Sequence, residues 1–371
     1  MSLRVAIVGC GKIADAHAEQ IRRIKGCDIV GVCDREELMA RQLAERFKVE
    51  RYFDDLGALL EESRPDVVHI TTPPQSHFAI ARHCMEHECH VYVEKPFTLD
   101  AREAEALVEL AERRQLRLTV GHDAQFSHAA RRMRDLVRSG YLGDSVVHME
   151  SYYGYDLGDP RYAQAFLQDR GHWVRKLPGG LLQNVISHGI ARIAEFLRGD
   201  NPRVIAHGFV SPLLQSFCGE DVLDELRVII VDEYQTTAYF TFSSQMRPIL
   251  HQFRILGSQN GLVLDEQQQT IVKLRGASFK SYVERFLPPV IFAKQYLTNA
   301  AANVRLFLAN DFHMESGKKE LIAGLYRSIV DSTPAPIPHS EILRTARLMD
   351  SIFKQLRTSS CLAGSRERVS C

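Results

Sequence analysis

Over residues 3–120 the chain alternates short apolar runs with longer amphipathic stretches. The runs Arg4–Val8, Asp28–Cys33, Val67–Ile70, His90–Val93 and Arg117–Val120 predict strands. Between them Ile13–Lys25, Glu36–Phe47, His77–His87 and Ala101–Arg114 repeat their apolar residues at helical spacing. Strands joined in this way are parallel, with helices on both faces and right-handed crossovers. The prediction is a doubly wound Rossmann sheet.

After Gly121 the pattern changes. A helix over Ala129–Ser139 leads into a strand-like run from Ser145, followed by an irregular stretch to Pro178 and a helix over Gly180–Leu197. Strands then arrive without intervening helices, at Val204–Val210, Leu226–Val231, Gln235–Phe242, Ile249–Leu256 and Leu262–Leu264. Successive strands with turn signals such as Gly257-Ser258-Gln259-Asn260-Gly261 predict a mainly antiparallel sheet. Helices return towards the end, including Ser340–Leu356. The expected organisation is α/β throughout: a Rossmann domain over 1–122, a second α/β domain over 123–357, and a disordered polar tail over 358–371. Residues 286–309 are more apolar than their neighbours, yet Lys294 and Arg305 are their only cations. No basic face forms for a membrane surface, so packing on the domain or on a partner subunit is expected.

Composition narrows the function classes. At 371 residues there is chain enough for two cores, and 46 basic residues balance 46 acidic ones. That balance gives no pull towards nucleic acid or an anionic membrane. No apolar run is long enough to span a bilayer, and the start carries no signal-peptide pattern, so a cytoplasmic protein is expected. The 8 cysteines form no CxxC pair. His83, Cys84, His87, Cys89 and His90 cluster in sequence, but they fall on a predicted helix and the next strand, which would point them apart, and no metal site is assigned.

Three motifs follow predicted strands. Gly9-Cys10-Gly11-Lys12-Ile13-Ala14 opens a helix directly after the first. Gly9 permits a tight turn, Gly11 lets backbone approach a pyrophosphate, and Ala14 allows close helix–strand packing. The helix N-terminus offers free N–H groups to phosphates. Asp34, at the end of the second strand, can accept from ribose hydroxyls and repel a 2′-phosphate, which favours NAD over NADP. Arg35 beside it could receive such a phosphate instead. Thr71-Thr72-Pro73-Pro74-Gln75-Ser76-His77 and Glu94-Lys95-Pro96 follow the third and fourth of those strands, at carboxyl ends where ligands of open α/β sheets bind.

Together with Gly121-His122 and Gly179-Gly180…Asn184-x-x-x-His188, these motifs resemble the glucose–fructose oxidoreductase, inositol dehydrogenase and rhizopine-catabolism (Gfo/Idh/MocA) oxidoreductases over most of residues 3–356. The resemblance implies a Rossmann domain and an α/β domain whose open antiparallel sheet mediates assembly, here into a homodimer or homotetramer. It implies NAD(P)-dependent redox chemistry on a sugar, polyol or nucleotide sugar. Cofactor contacts are expected from Gly9, Gly11, Lys12, Ile13, Asp34, Arg35, Thr72, Pro73, His77, Glu94, Lys95 and His122. The family's catalytic lysine falls on Lys95 and its active-site histidine on His188. Two positions depart from the family pattern. Asn184 stands where the family usually has Asp, and Asp123-Ala124-Gln125-Phe126 replaces a usual Asn-x-Arg-Phe.

On chemical grounds His188 suits a general base near neutral pH, Lys95 can polarise an oxygen, and Asn184 can orient the imidazole without offering charge. Tyr152, Tyr153, Tyr155, His172, Trp173 and Lys176 are candidate sugar contacts. Two alternatives remain open at this point: a tightly bound cofactor serving a net non-redox reaction, and a cofactor-binding regulator without catalysis.

Overall fold

The protein is described by a computed structural model covering residues 2–366, except 158–166, 168, 170, 219–221, 277, 281, 313 and 314. The chain divides into two units, residues 1–126 with 314–346, and residues 127–313 with 347–371. The boundary expected at 122/123 thus falls four residues later (126 − 122), and a late segment rejoins the first unit.

In the first unit, β1 (Leu3–Val8), β2 (Cys27–Cys33), β3 (Tyr52–Phe53), β4 (Val67–Ile70), β5 (His90–Val93) and β6 (Leu118–Val120) form one sheet in the order β3-β2-β1-β4-β5-β6. Every pairing in it is parallel. Helices α1 (Lys12–Arg22), α2 (Glu37–Phe47), α3 (Leu56–Ser63), α4 (His77–Glu86) and α5 (Ala101–Arg113) link the strands. The apolar strands are buried along almost their whole length, because helices cover both faces. The chain order reverses between β1 and β4, which makes that crevice the topological switch point of the sheet. The two-residue β3 escaped the sequence reading, being too short to show any period.

In the second unit, α6 (His128–Arg138) precedes β7 (Val146–Gly154), and α7 (Gly180–Val185) and α8 (Ser187–Ala194) replace the single helix expected over Gly180–Leu197. Then come β8 (Arg203–Phe209), α9 (Pro212–Cys218), β9 (Glu225–Val231), β10 (Thr237–Ser243), β11 (His251–Gly257), β12 (Asn260–Asp265), β13 (Thr270–Arg275) and α10 (Val283–Leu308). The seven strands lie in the order β13-β12-β11-β7-β10-β9-β8. Only the central β7–β10 pair is parallel. Alternation along β9 buries Val228 and Ile230 in the core and leaves Ile229 on the other face.

Helix α11 (Ser316–Val330) belongs to the first unit, where Leu321, Ile322, Leu325 and Tyr326 join the Rossmann core. Helix α12 (His339–Arg366) begins there and continues into the second unit. It extends nine residues past the point where disorder was expected to begin (366 − 357). Residues 367–371 lie outside the described residues.

Candidate cofactor and catalytic site

The site of the first unit is built one residue beyond the strands. Gly9 N–H donates to the Cys33 carbonyl, Thr71 N–H to Val8, Glu94 N–H to Ile70 and Gly121 N–H to Val93, at 2.8 to 2.9 Å. Sheet pairing therefore carries on into each loop and fixes the four loops in one row along the carboxyl edge. Gly9 has φ +95°, and a Cβ there would lie 2.7 Å from the Thr72 backbone nitrogen. Only glycine lets the loop after β1 pass so close to the loop after β4.

Gly11 differs. A Cβ on it would meet no heavy atom within 4 Å, and it stands as the N-cap of α1 without any side-chain cap. Open space in front of uncapped helical N–H groups fits a dinucleotide phosphate. Ala14 is fully buried beneath the turn, while Lys12 and Ile13 are exposed beside it. Asp34 receives the Cys10 N–H on Oδ2 at 2.6 Å and the Glu36 N–H on Oδ1 at 3.0 Å. It therefore both steadies the glycine turn and caps the next backbone segment, with lone pairs left over. Arg35 is exposed.

Several residues expected to contact cofactor face inwards instead. His77 is buried, with Nε2 2.8 Å from the Thr72 carbonyl and Nδ1 3.0 Å from that of Pro96, so it braces two loops against each other. Burial lowers its pKa below the ordinary histidine value, against the pull of those carbonyls. Thr72 Oγ1 accepts from Ser76 Oγ, and Pro73 is exposed. His122 is buried, its N–H donating to the Val120 carbonyl.

Glu94 is also buried, and it is the hub of a network that sequence reasoning missed. Its Oε1 lies 2.8 Å from His17 Nε2 and 3.2 Å from Lys318 Nζ, and its Oε2 accepts the Lys95 N–H. Lys318, on α11, also lies 3.2 Å from Asp123. Beyond His17 the chain of contacts continues: Nδ1 lies 2.8 Å from His69 Nδ1, and His69 Nε2 lies 2.8 Å from the Tyr326 hydroxyl. One proton arrangement satisfies every link with both rings neutral: Tyr326 O–H to His69, His69 N–H to His17, and His17 N–H to a Glu94 carboxylate. Burial lowers the pKa of both histidines, consistent with neutral rings. Burial alone would raise Glu94, but Lys318 and His17 overcome it and hold its pKa well below the carboxylate range. Lys318 is conversely held well above the lysine range, since Glu94 and Asp123 outweigh its burial.

Lys95 follows Glu94 and is half-buried. Burial pulls its pKa below the ordinary lysine value, with Lys318 acting in the same direction and Glu94 and Asp123 opposing.

In the second unit, Asn184 lies in the last turn of α7 and His188 in the first turn of α8. The helices meet at Ile186, whose backbone stays right-handed helical at φ −86°, ψ −12°, so the four-residue spacing keeps its meaning. Gly189 lies against the Phe240 ring, and Ser151 Oγ donates to its carbonyl at 3.3 Å, which ties α8 to β7 and β10. The Tyr153 ring lies 6.4 Å from that of His188 and stacks on His251 at 4.3 Å. Trp173 lies beside His172, with ring centroids 5.5 Å apart. A separate cavity of about 1030 Å³ opens between α6, β12–β13 and α10, and none of the candidate cofactor, catalytic or sugar-contact residues lines it.

Comparisons with known proteins identify the first unit. Residues 3–122 match the family described as "Oxidoreductase family, NAD-binding Rossmann fold" (Gfo/Idh/MocA). The match covers the Rossmann domain, about a third of the chain. A glycosyl hydrolase family 109 protein of Akkermansia muciniphila is 27% identical over 228 residues, which is 57% of this chain and 47% of the relative. A UDP-N-acetylglucosamine 3-dehydrogenase of Acidithiobacillus ferrooxidans is 38% identical over 120 residues, 32% of this chain and 37% of the relative. The chain thus spans less than half the length of either curated relative. An NAD-binding oxidoreductase of Klebsiella pneumoniae, a solved structure, has the same fold with a TM-score of 0.78, covering 96% of this chain and 97% of that one at 17% identity. Among the described residues no helix is long and apolar enough to cross a membrane.

Proposed function

We propose that the protein is an NAD-dependent dehydrogenase or reductase acting on a carbinol or carbonyl carbon of a sugar, polyol or nucleotide sugar. The observation that carries this reading is the placement of Lys95, half-buried with a lowered pKa, in the row of carboxyl-end loops that contains the open Gly11 turn. A dehydrogenase relative that acts on a nucleotide sugar supports the substrate class. Gly9, Gly11 and the start of α1 would hold the cofactor's phosphates, and Asp34 the adenine ribose, with Lys12, Ile13 and Thr72 alongside. When bound, the nicotinamide supplies hydride acceptance and return. Lys95 then stabilises negative charge on the substrate oxygen. His188 takes the hydroxyl proton as general base, oriented by Asn184.

Turnover at 340 nm across a panel of sugars, polyols and nucleotide sugars tests this. No turnover with any of them, from protein that binds NADH, would sink it. The preference for NAD rests on Asp34, and fluorescence titration checks it: NADPH binding as tightly as NADH refutes the argument.

The relative named as a glycosyl hydrolase favours a second reading, in which a retained cofactor is reduced and reoxidised within one net non-redox reaction. Protein that purifies with cofactor absorbance and converts substrate without net change at 340 nm would establish that alternative.

We further infer assembly through the open face of the second sheet. Ile205, Ile229 and Tyr239 are exposed and stand opposite one another across β8, β9 and β10. Light scattering that finds a monomer at micromolar concentration would refute it.

A further inference from the structure

Helix α10 is amphipathic in the reverse sense. Its polar side faces the protein. Gln295 Oε1 accepts the Lys273 N–H at 2.7 Å while its Nε2 donates to the Lys273 carbonyl. One turn on, Asn299 repeats this at Ile271, with Oδ1 accepting N–H and Nδ2 donating to the carbonyl. Asn303 Nδ2 then donates to the Gln268 carbonyl. Side-chain amides at i and i+4 thus complete the free edge of β13 as a further strand would, the one at i+8 bonds the turn before it, and that edge is closed to other strands. Asn299 is buried, and the helix has no buried apolar side chain.

The apolar side faces outward. Phe286, Val290, Ala293, Leu297, Ala300, Val304 and Phe307 are all exposed, the five larger ones from 58% at Val304 to 73% at Leu297. Their spacing alternates four and three residues without a break, the repeat of a coiled-coil seam. Such a seam is complementary to another helix, because its side chains enter holes between four residues of a facing helix. The order of sizes says which helix. Phe, Val, Ala, Leu, Ala, Val, Phe reads the same in both directions. Two copies running antiparallel about a two-fold axis near Leu297 would place small residues where the helices approach most closely and large ones where they diverge. Pro288 and Pro289 lie within α10, so the uninterrupted part of the seam runs from Val290 to Phe307, about 26 Å of helix. Val, Ala, Leu, Ala, Val over 290–304 still reads the same in both directions.

We propose that α10 is a self-association surface, pairing antiparallel with α10 of a second copy of this chain. It is distinct from the sheet face discussed above, since α10 lies at the β13 edge and that face at the opposite edge, on β8–β10. Where the two two-fold axes close the assembly it is a tetramer, and loss of the α10 pair alone leaves a dimer.

Light scattering and disulfide cross-linking test the proposal on the full chain. Leu297→Glu should halve the mass of the assembly and weaken self-association on the order of 10²-fold, with turnover and circular dichroism unchanged. Should that variant fail to fold, single cysteines decide the matter against the wild-type chain as control. Leu297→Cys should cross-link to itself, and Val290→Cys should cross-link to Val304→Cys in mixed samples but not to itself. Unchanged mass in folded Leu297→Glu overturns the proposal. So does cross-linking of Val290→Cys to itself, which means a parallel pair. Binding of wild-type protein to anionic phospholipid vesicles, abolished by Leu297→Glu without any change in mass, would overturn it in favour of a lipid surface.

Discussion

Lys95 and His188 are proposed to serve one reaction, yet their surroundings are built on different principles. Lys95 lies beside a closed set of charges. Glu94, Lys318 and Asp123 compensate one another, and the neutral His17–His69–Tyr326 chain extends from Glu94 into the core. Burial lowers the pKa of Lys95, and Glu94, Asp123 and Lys318, all held in place by the fold, modify that shift. His188 has aromatic Tyr153 nearby and an amide, Asn184, where a carboxylate would carry charge. The contrast is between a lysine set beside a charge network that the fold holds in place and a histidine with an amide, rather than a carboxylate, four residues before it.

The largest expected effect tests the histidine. His188→Ala should lower turnover by roughly 10²–10⁴-fold in a 340 nm assay, as loss of a general base does. Full turnover in that variant would transfer the acceptor role to Lys95. Lys95→Ala should cost on the order of 10²–10³ in turnover while the NADH dissociation constant barely changes, because the lost interaction strengthens mainly in the transition state. A large change in cofactor affinity with normal turnover would remove Lys95 from the chemistry.

Lys318→Ala probes the closed network. It strands the Glu94 carboxylate in the core, and urea unfolding should show a loss of about 3–5 kcal/mol. A loss under about 1 kcal/mol would mean that solvent or His17 compensates Glu94. The pH dependence follows from the same pair. Glu94 is held below its unfolded value, so its contribution is complete above the ordinary carboxylate pKa and is lost as pH falls through the folded value. The acid side of the stability profile should therefore be shallower in Glu94→Gln, and an unchanged profile would contradict the assignment.

The smallest effect is the most discriminating. Asn184→Asp should raise the pKa of His188 by favouring imidazolium, moving the alkaline-favoured limb of the oxidation profile to higher pH. If that limb stays in place, Asn184 only packs and the contrast between the two groups fails.

Strand and helix periods made the Rossmann half legible. Strands Val67–Ile70 and His90–Val93 occur residue for residue as their apolar runs predict, since burial on both faces leaves an unbroken signal. The position of Gly9, Gly11, Asp34 and Lys95 on carboxyl-end loops was legible too, because each falls within three residues of a strand end, and strand ends in a parallel sheet share one edge. Pattern could not show what long-range packing decides. Lys318 reads as one charge of an ordinary amphipathic helix, 224 residues after Glu94 (318 − 94), and only the return of α11 to the first unit makes it that residue's partner. The inward turn of His77 and Glu94, the pairing of His17 with His69, and the outward apolar face of α10 are likewise tertiary facts. Periodicity fixes which residues share a face of an element. Which way that face points depends on what packs against it, and that is set by contacts between segments far apart in the chain.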